Sequence, residues 1–187
     1  MIIKEFFGLK DVYEIELEPI RDNRGEFKRI YDDNIFKKYG LNTKWIQENH
    51  SISLKKNTVR GLHFQTGQYS ETKLVKCIKG EILDVFVDLR KDSKTFGKYG
   101  SIVLTENNNK MIYIPVGFAH GFRTLVDNCE ILYKVNNYYS PQNESGIKWN
   151  DPDVNIDWCF SDDCDNGNVV LSDRDSKLMS FREVVKL

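Results

Sequence analysis

The sequence predicts an all-β domain, either a sandwich or a barrel, because short segments that alternate with a period of two are separated by polar turns. The clearest alternation covers residues 83–89, where leucine and valine take one face of a strand and Asp84, Phe86 and Asp88 take the other. Residues 80–81 and 107–109 mark two turns. Further strands are predicted at residues 73–79, 102–104, 111–114 and 129–135. Such a series of short strands argues against alternating strands and helices.

Helical signals are few and lie towards the two ends of the chain. Residues 33–39 are predicted to form a short helix that Asp32 or Asp33 caps and Gly40 ends. The tail, residues 172–187, has a second start signal, because Ser172 and Asp175 have the spacing of a capping box, although Glu or Gln is the usual partner. We therefore expect a β fold with a few short helices.

The size and charge of the chain indicate a single domain over residues 1–187. Of its 187 residues, 40% are hydrophobic and 29% charged, which suits one sizeable core. The net charge of -1 gives no reason to expect a nucleic acid or a membrane as partner. No apolar run reaches the length of a membrane span, and the first residues lack the pattern of a signal peptide, so we expect a cytoplasmic protein.

The cysteines agree with a reducing compartment. Cys77, Cys129, Cys159 and Cys164 form no C-x-x-C pair, and a cytosolic chain of this length does not depend on disulfides. We interpret them as reduced thiols, with Cys77 and Cys129 on strands in the core.

Motifs for metal and cofactor chemistry are missing from the sequence. Its three histidines are His50, His63 and His120, and none stands in the H-x-H arrangement of a metal-binding β-barrel. The G-x-G-x-x-G, P-loop and G-x-S-x-G motifs are absent as well. We therefore expect neither a metal nor a cofactor.

His63 is the strongest candidate for chemistry. A histidine between two apolar residues is ordinarily a half-buried strand residue with one hydrogen bond, but its neighbours favour a functional interpretation. Arg60 has the forked donors that bind phosphate, and Gly61 permits close approach of a ligand to the backbone. Lys73 opens the next strand, where its ammonium could stabilise an oxyanion.

Two further residues have ordinary structural interpretations. Tyr133, taken alone, is a core aromatic with its hydroxyl at the mouth of a barrel. Asp175 is either the carboxylate of the capping box or a partner that orients the imidazole of His63. Spacing along the chain does not choose between these alternatives.

Ordered matches to one protein family run from about residue 20 to residue 175. The longest are Arg60-Gly61-Leu62-His63-Phe64-Gln65 and Ile114-Pro115-x-Gly117-Phe118-Ala119-His120-Gly121-Phe122. Shorter ones are Asp22-x-Arg24-Gly25, Gln47-x-Asn49-x-Ser51-x-Ser53, Lys73-Leu74-Val75, Tyr133-Lys134, Tyr138-Tyr139-Ser140-Pro141, Trp149-Asn150-Asp151-Pro152 and Leu171-Ser172-x-Arg174-Asp175. Through these residues the chain resembles the dTDP-4-dehydrorhamnose 3,5-epimerases of the RmlC type.

The resemblance implies a cupin-type jelly-roll barrel, also called a double-stranded β-helix, and usually a homodimer. It implies that His63 abstracts protons and that Asp175 is its partner. Tyr133 matches the acid on the opposite face, and Lys73 matches the lysine near the C4 oxygen of the substrate. The remaining positions that match contacts to the nucleotide sugar are Arg24, Gln47, Asn49, Arg60, His120, Glu144 and Arg174, together with Tyr139, which matches the aromatic that stacks on the base. Arg24 belongs to an N-terminal segment that crosses to the other subunit in this family.

The chemistry of a 4-keto sugar agrees with these roles. The hydrogens on C3 and C5 flank a carbonyl, so removal of either gives an enolate without a redox cofactor. Epimerisation then needs a base on one face and an acid on the other. Three positions depart from the family pattern, although none of them is the acid or the base: Ile20 where an aromatic is common, Arg29 where many relatives have Glu, and Glu71 where many have Gln.

The sequence therefore predicts an isomerase that acts on a nucleotide-linked 4-keto-6-deoxy sugar in deoxysugar biosynthesis. The leading reaction is 3,5-epimerisation of dTDP-4-dehydro-6-deoxy-D-glucose to dTDP-4-dehydro-L-rhamnose. The alternatives are an epimerase of C3 or C5 alone, a ketoisomerase of a related nucleotide sugar, and a non-catalytic barrel that binds sugar nucleotides. The presence of four residues together favours an enzyme, because a binding protein needs no acid–base pair: His63, Tyr133, Lys73 and Asp175.

Overall fold

The computed structural model describes residues 1–160 and 168–186, and strands dominate this part of the chain. The strands are β1 (Ile2–Glu5), β2 (Tyr13–Glu16), β3 (Ile20–Asp22), β4 (Gly25–Phe27), β5 (Gln47–Ser53), β6 (Val59–Gln65), β7 (Lys73–Lys79), β8 (Glu81–Asp88), β9 (Tyr99–Thr105), β10 (Lys110–Ile114), β11 (Phe118–Thr124), β12 (Cys129–Val135) and β13 (Glu144–Gly146). Two short α-helices are α1 (Asp33–Lys38) and α2 (Phe181–Val184). Single 3₁₀ turns occur at Gly67–Tyr69 and Asp175–Lys177.

The strands form two antiparallel sheets that face each other, and a separate hairpin. The larger sheet has the order β1-β2-β10-β7-β12-β5, the smaller sheet has the order β13-β6-β11-β8-β9, and β3 pairs with β4. The turn at Gly80 carries the chain from β7 in one sheet to β8 in the other. The turn at 107–109 likewise joins β9 to β10 across the sheets. This is the predicted jelly-roll barrel, and it places residues that are distant in sequence on facing walls.

The core fills the space between the sheets and extends over both outer faces. Inside, residues such as Val75 and Ile131 from the larger sheet meet Phe86 and Phe122 from the smaller one. The C-terminal segment covers the outer face of the smaller sheet, where Leu83, Val85 and Val87 are buried with Trp158. Both faces of β8 are therefore enclosed, which explains why its outward residues are apolar.

The predicted helix near the N-terminus is confirmed, whereas the predicted start signal in the tail is wrong in part. Asp32 caps α1 by accepting hydrogen bonds from the backbone N–H groups of Asn34 and Ile35. In the tail, Ser172 Oγ accepts a hydrogen bond from the backbone N–H of Asp175 at 3.0 Å. The carboxylate of Asp175 does not return this bond, and the residue begins only a 3₁₀ turn. A reciprocal capping box begins α2 instead, with Ser180 and Glu183.

Strands β6 and β11 approach each other closely where two glycines lie side by side. A Cβ on Gly61 would meet the backbone oxygen of His120 at 2.7 Å, and one on Gly121 would meet the backbone oxygen of Arg60 at 2.6 Å. Gly61 also has a φ of +106°, a conformation that other residues rarely adopt. The two glycines allow His63 and His120, which are paired across these strands, to lie on one wall.

The described cysteines agree with the sequence interpretation. Cys77, Cys129 and Cys159 are free thiols, and the first two are fully buried. Burial, with the nearby Cys129 thiol adding to it, raises the pKa of Cys77 to about 12. Cys164 lies outside the described residues.

Among the described residues, no helix is long and apolar enough to cross a membrane.

Candidate active site

A cleft between the two sheets brings together most of the residues that the sequence singles out. It consists of two adjoining cavities of about 290 and 320 Å³ that share His63, Lys73, Tyr133 and Glu144 as lining residues. The other predicted residues that line it are Gln47, Asn49, Arg60, His120, Tyr139, Arg174 and Asp175. Arg24 is the exception.

The two walls of the cleft carry different chemical groups. The smaller sheet supplies His63 from β6 and His120 from β11. The larger sheet supplies Lys73 from β7 and Tyr133 from β12. A ligand in the cleft therefore has imidazoles on one side, and an ammonium and a phenol on the other.

His63 forms a pair with Asp175, which agrees with the interpretation of that aspartate as a partner of the imidazole. The imidazole Nε2 lies 2.7 Å from Asp175 Oδ1, and Oδ2 accepts a hydrogen bond from the backbone N–H of Gly61 at 3.2 Å. Burial alone would raise the pKa of Asp175, but the hydrogen bond and charge of His63 outweigh it and lower the pKa. Because the carboxylate stays ionised, it accepts from Nε2 and leaves Nδ1 as the basic ring nitrogen.

A second histidine–aspartate pair lies beside the first, and its aspartate was not singled out as a site residue from the sequence. His120 Nε2 lies 2.9 Å from Asp84 Oδ2 on the neighbouring strand β8. Asp84 is fully buried, and its other oxygen, Oδ1, has no hydrogen-bond partner among the described residues. Burial raises the pKa of Asp84, although His120 and Lys73 oppose the rise. The sequence feature that could have identified Asp84 is a charged residue in the middle of a largely apolar strand.

Lys73 and Tyr133 line the opposite wall with most of their surface buried. The Lys73 ammonium lies 3.2 Å from Glu71 Oε1, and its side chain is 9% exposed. Tyr133 packs against the apolar core between the sheets. Burial raises the pKa of its hydroxyl, with Glu71 adding to the rise, so the phenol remains protonated at neutral pH.

The outer part of the cleft is polar and lies at the ends of several strands. Gln47 Oε1 accepts from the backbone N–H of Tyr139, and the Tyr139 hydroxyl donates to Glu144 at 2.6 Å. Arg174 forms an ion pair with Glu144. These groups place an exposed aromatic ring close to a guanidinium, which suits the stacking of a planar ring and the pairing of a phosphate.

Arg24 lies apart from this cleft in the described chain. It is on the β3–β4 hairpin, where it is exposed and pairs with Asp22 at 2.6 Å. It does not line either cavity of the cleft. Within a single chain, Arg24 is therefore not in a position to contact a substrate bound in the cleft.

The donor set of the cleft is poorly suited to a metal. No group of three or more His, Cys, Asp or Glu side chains with the spacing of a metal site occurs in the described residues. Each histidine of the cleft is paired with one aspartate instead.

Full activity is therefore expected after exhaustive treatment with a chelator. Turnover before and after dialysis against the chelator, with each metal then added back singly, checks this expectation. Loss of activity followed by recovery with one added metal would contradict it.

Fold and cleft together define a cupin-type barrel with titratable side chains on both walls of one cleft. A family model described as dTDP-4-dehydrorhamnose 3,5-epimerase matches residues 7–183. The dTDP-4-dehydrorhamnose 3,5-epimerase of Salmonella typhimurium is 46% identical over 155 residues, which are 82% of this chain and 84% of that protein. The chain belongs to the dTDP-4-dehydrorhamnose 3,5-epimerase family, and it is an isomerase.

Solved structures of relatives agree with this assignment. The crystal structure of the dTDP-4-dehydrorhamnose 3,5-epimerase from Elizabethkingia anophelis superimposes with a TM-score of 0.91 at 38% identity, covering 98% of this chain and 97% of that one. The dTDP-6-deoxy-D-glucose-3,5-epimerase from Legionella pneumophila, in complex with dTDP-4-keto-L-rhamnose, has a TM-score of 0.89 at 33% identity, covering 97% and 93%. The family resemblance and the barrel predicted from the sequence are confirmed.

Proposed function

We propose that the protein inverts C3 and C5 of dTDP-4-dehydro-6-deoxy-D-glucose and releases dTDP-4-dehydro-L-rhamnose, without a cofactor. The observation that carries this proposal is the placement of the His63–Asp175 pair and of Tyr133 on opposite walls of one cleft. Inversion of a carbon requires that a proton leave on one face and return on the other, and this arrangement supplies a group for each step.

The first step takes a proton from a carbon next to the ketone. His63 accepts it, and the ionised Asp175 stabilises the imidazolium that forms. The electron pair of the broken C–H bond passes to the C4 oxygen, which becomes an enolate. Lys73 on the opposite wall supplies a positive charge for that oxygen.

The second step returns a proton to the same carbon from the other side. We assign this step to Tyr133, which is protonated at neutral pH and lies on the wall opposite His63. The phenolate that results regains a proton from solvent, and His63 loses its proton to solvent, so the protein ends unchanged. The same pair of groups then acts on the second carbon.

The polar outer part of the cleft supports a nucleotide-linked substrate. Arg60 and Arg174 line the cleft and match charges on a diphosphate, and Tyr139 is an exposed ring suited to stacking on a base. The relative from Legionella pneumophila was solved with a dTDP sugar bound, which supports dTDP as the nucleotide.

Incubation with dTDP-4-dehydro-6-deoxy-D-glucose in deuterated water, followed by proton NMR, tests this proposal. We expect deuterium at both C3 and C5, together with the signals of the L-rhamno product. Deuterium and inversion at one carbon only would identify a single-centre epimerase. Neither exchange nor inversion with this substrate would identify a non-catalytic binding barrel.

We also infer that the protein acts as a homodimer that exchanges its N-terminal hairpin, in the cytoplasm. Strand β5 is an edge of the larger sheet and leaves Ile52 51% exposed. On the hairpin, Ile20 and Phe27 are 70% and 63% exposed. Pairing with a second copy would cover these apolar side chains and would bring Arg24 to the cleft of that copy.

Mixing two defective variants tests the exchanged hairpin. An Arg24→Ala chain and a His63→Ala chain, refolded together, can form a hybrid dimer in which one cleft is complete. Random assembly should restore about a quarter of wild-type turnover at low substrate concentration. A mixture of His63→Ala with Tyr133→Phe is the matched control. Each cleft takes both of these residues from its own chain, so no cleft of the hybrid dimer is complete. Light scattering gives the mass, and a monomer, or no recovery in the first mixture, would contradict the inference.

A further inference from the structure

One carboxylate in the cleft has no part in the chemistry described so far. Glu71 lies just before β7 and lines the cavity that also holds His63, Lys73 and Tyr133. Its Oε1 is 3.2 Å from the Lys73 ammonium, and its Oε2 accepts a hydrogen bond from Gln65 Nε2 at 3.0 Å. Both carboxylate oxygens therefore have a fixed partner.

The contact between Glu71 and Lys73 is poorly accessible to water. The side chains are 13% and 9% exposed, respectively. Gln65 is itself held in place, because its Oε1 accepts from the backbone N–H of Ser140 and its two N–H groups are shared among Glu71 Oε2 and the backbone oxygens of Tyr69 and Tyr138. An ion pair held this firmly in a partly buried site fixes the position of the ammonium far better than an exposed pair does.

We propose that Glu71 is a positioning residue, which holds the Lys73 ammonium at the reacting carbonyl and sets the upper pH limit of catalysis. The proposal rests on the roles proposed above for Lys73 and Tyr133. Glu71 acts on the ammonium by direct contact and on the phenol by its negative charge. The contact holds the ammonium that polarises the carbonyl, and the charge favours the protonated phenol that delivers the proton.

Other charged groups also face Tyr133 across the cleft. Glu144 acts on the hydroxyl in the same sense as Glu71, and Arg60 acts in the opposite sense. His63, Lys73 and His120 line the same space. Burial of the hydroxyl is the main cause of its raised pKa, and of the two carboxylates that add to the rise, Glu71 contributes more than Glu144.

The substitution Glu71→Gln removes the charge and keeps the shape. We expect kcat to fall while KM changes little. The ammonium stabilises the negative charge that develops on the C4 oxygen more strongly than it stabilises the bound ketone. We also expect the alkaline limb of the plot of kcat against pH to shift to lower pH by roughly one unit. Glu71→Asp keeps the charge and should retain the wild-type limb. Glu48→Gln is the matched control, because Glu48 is a surface carboxylate that contacts Lys134 at 3.5 Å.

A second measurement tests the inference without turnover. In protein labelled with ¹³C at tyrosine Cζ, the signal lost in Tyr133→Phe identifies Tyr133, and its titration is followed in the wild type and in Glu71→Gln. We expect ionisation at lower pH in the variant. Coincident titrations and coincident rate profiles would overturn the inference and leave the proposed function intact. If the wild type proves inactive, the proposed function fails, and the titration by itself decides whether Glu71 controls the phenol.

Discussion

Replacement of His63 by alanine is expected to abolish both deuterium exchange and inversion at C3 and at C5. The imidazole is the group of the cleft that an ionised aspartate orients as a base, at 2.7 Å from Asp175 Oδ1. Without it, no proton leaves the sugar, and neither later step can occur. Loss of a general base typically costs about 10²–10⁴-fold in rate, and both processes should fall by the same factor. Proton NMR in deuterated water measures both on one sample.

His50→Ala is the matched control for that experiment. His50 is an exposed histidine on β5 whose Nε2 contacts Glu130 at 3.0 Å, so its loss should leave turnover unchanged. Circular dichroism should show that both variants fold, because His63 is only half-buried and alanine fits its strand. Near wild-type turnover of His63→Ala would remove His63 from the mechanism.

Replacement of Tyr133 by phenylalanine is expected to separate exchange from inversion. The ring stays, so packing against the core should change little, and only the hydroxyl is lost. His63 still removes the proton and, after exchange with solvent, returns a deuteron to the same face. Deuterium should therefore continue to enter the substrate, whereas net inversion should fall by roughly 10²–10⁴-fold.

Each other outcome for Tyr133→Phe has a distinct meaning. Inversion at the wild-type rate would make Tyr133 a core aromatic and assign the acid to another group. An equal fall in exchange and inversion would show that the hydroxyl serves to hold the C4 oxygen. Tyr138→Phe is the control, because Tyr138 is 64% exposed and lines neither cavity of the cleft.

Five strands, β7 to β10 and β12, were predictable from sequence, whereas β11, which is buried throughout in the middle of the smaller sheet, was not predicted. Strands β7 and β12 have the predicted bounds, since their apolar residues alternate or run continuously between polar turns. Strand β5 was not predicted as a strand, because it lies at the edge of a sheet and its sequence, QENHSIS, is mostly polar. Short edge strands such as β1 and β3 gave no usable pattern either.

The site was less accessible to reasoning from residues alone, because its members meet only through the topology. His63 and Asp175 are 112 residues apart, and nothing in their spacing indicates a contact. The family resemblance supplied that pair, and the structure places it as implied. Asp84 and its contact with His120 were missed, because Asp84 was used only as part of the alternation that predicts the strand.

The two buried cysteines have a practical consequence for the study of this barrel. A thiol must be ionised and accessible before it reacts with an alkylating reagent, and Cys77, enclosed between the sheets with a pKa of about 12, meets neither condition in the folded state. Cys129, on the next strand of the same sheet, is equally enclosed. Their modification therefore requires the two sheets to separate, and mass spectrometry of labelled peptides would report the opening of the barrel without any engineered probe.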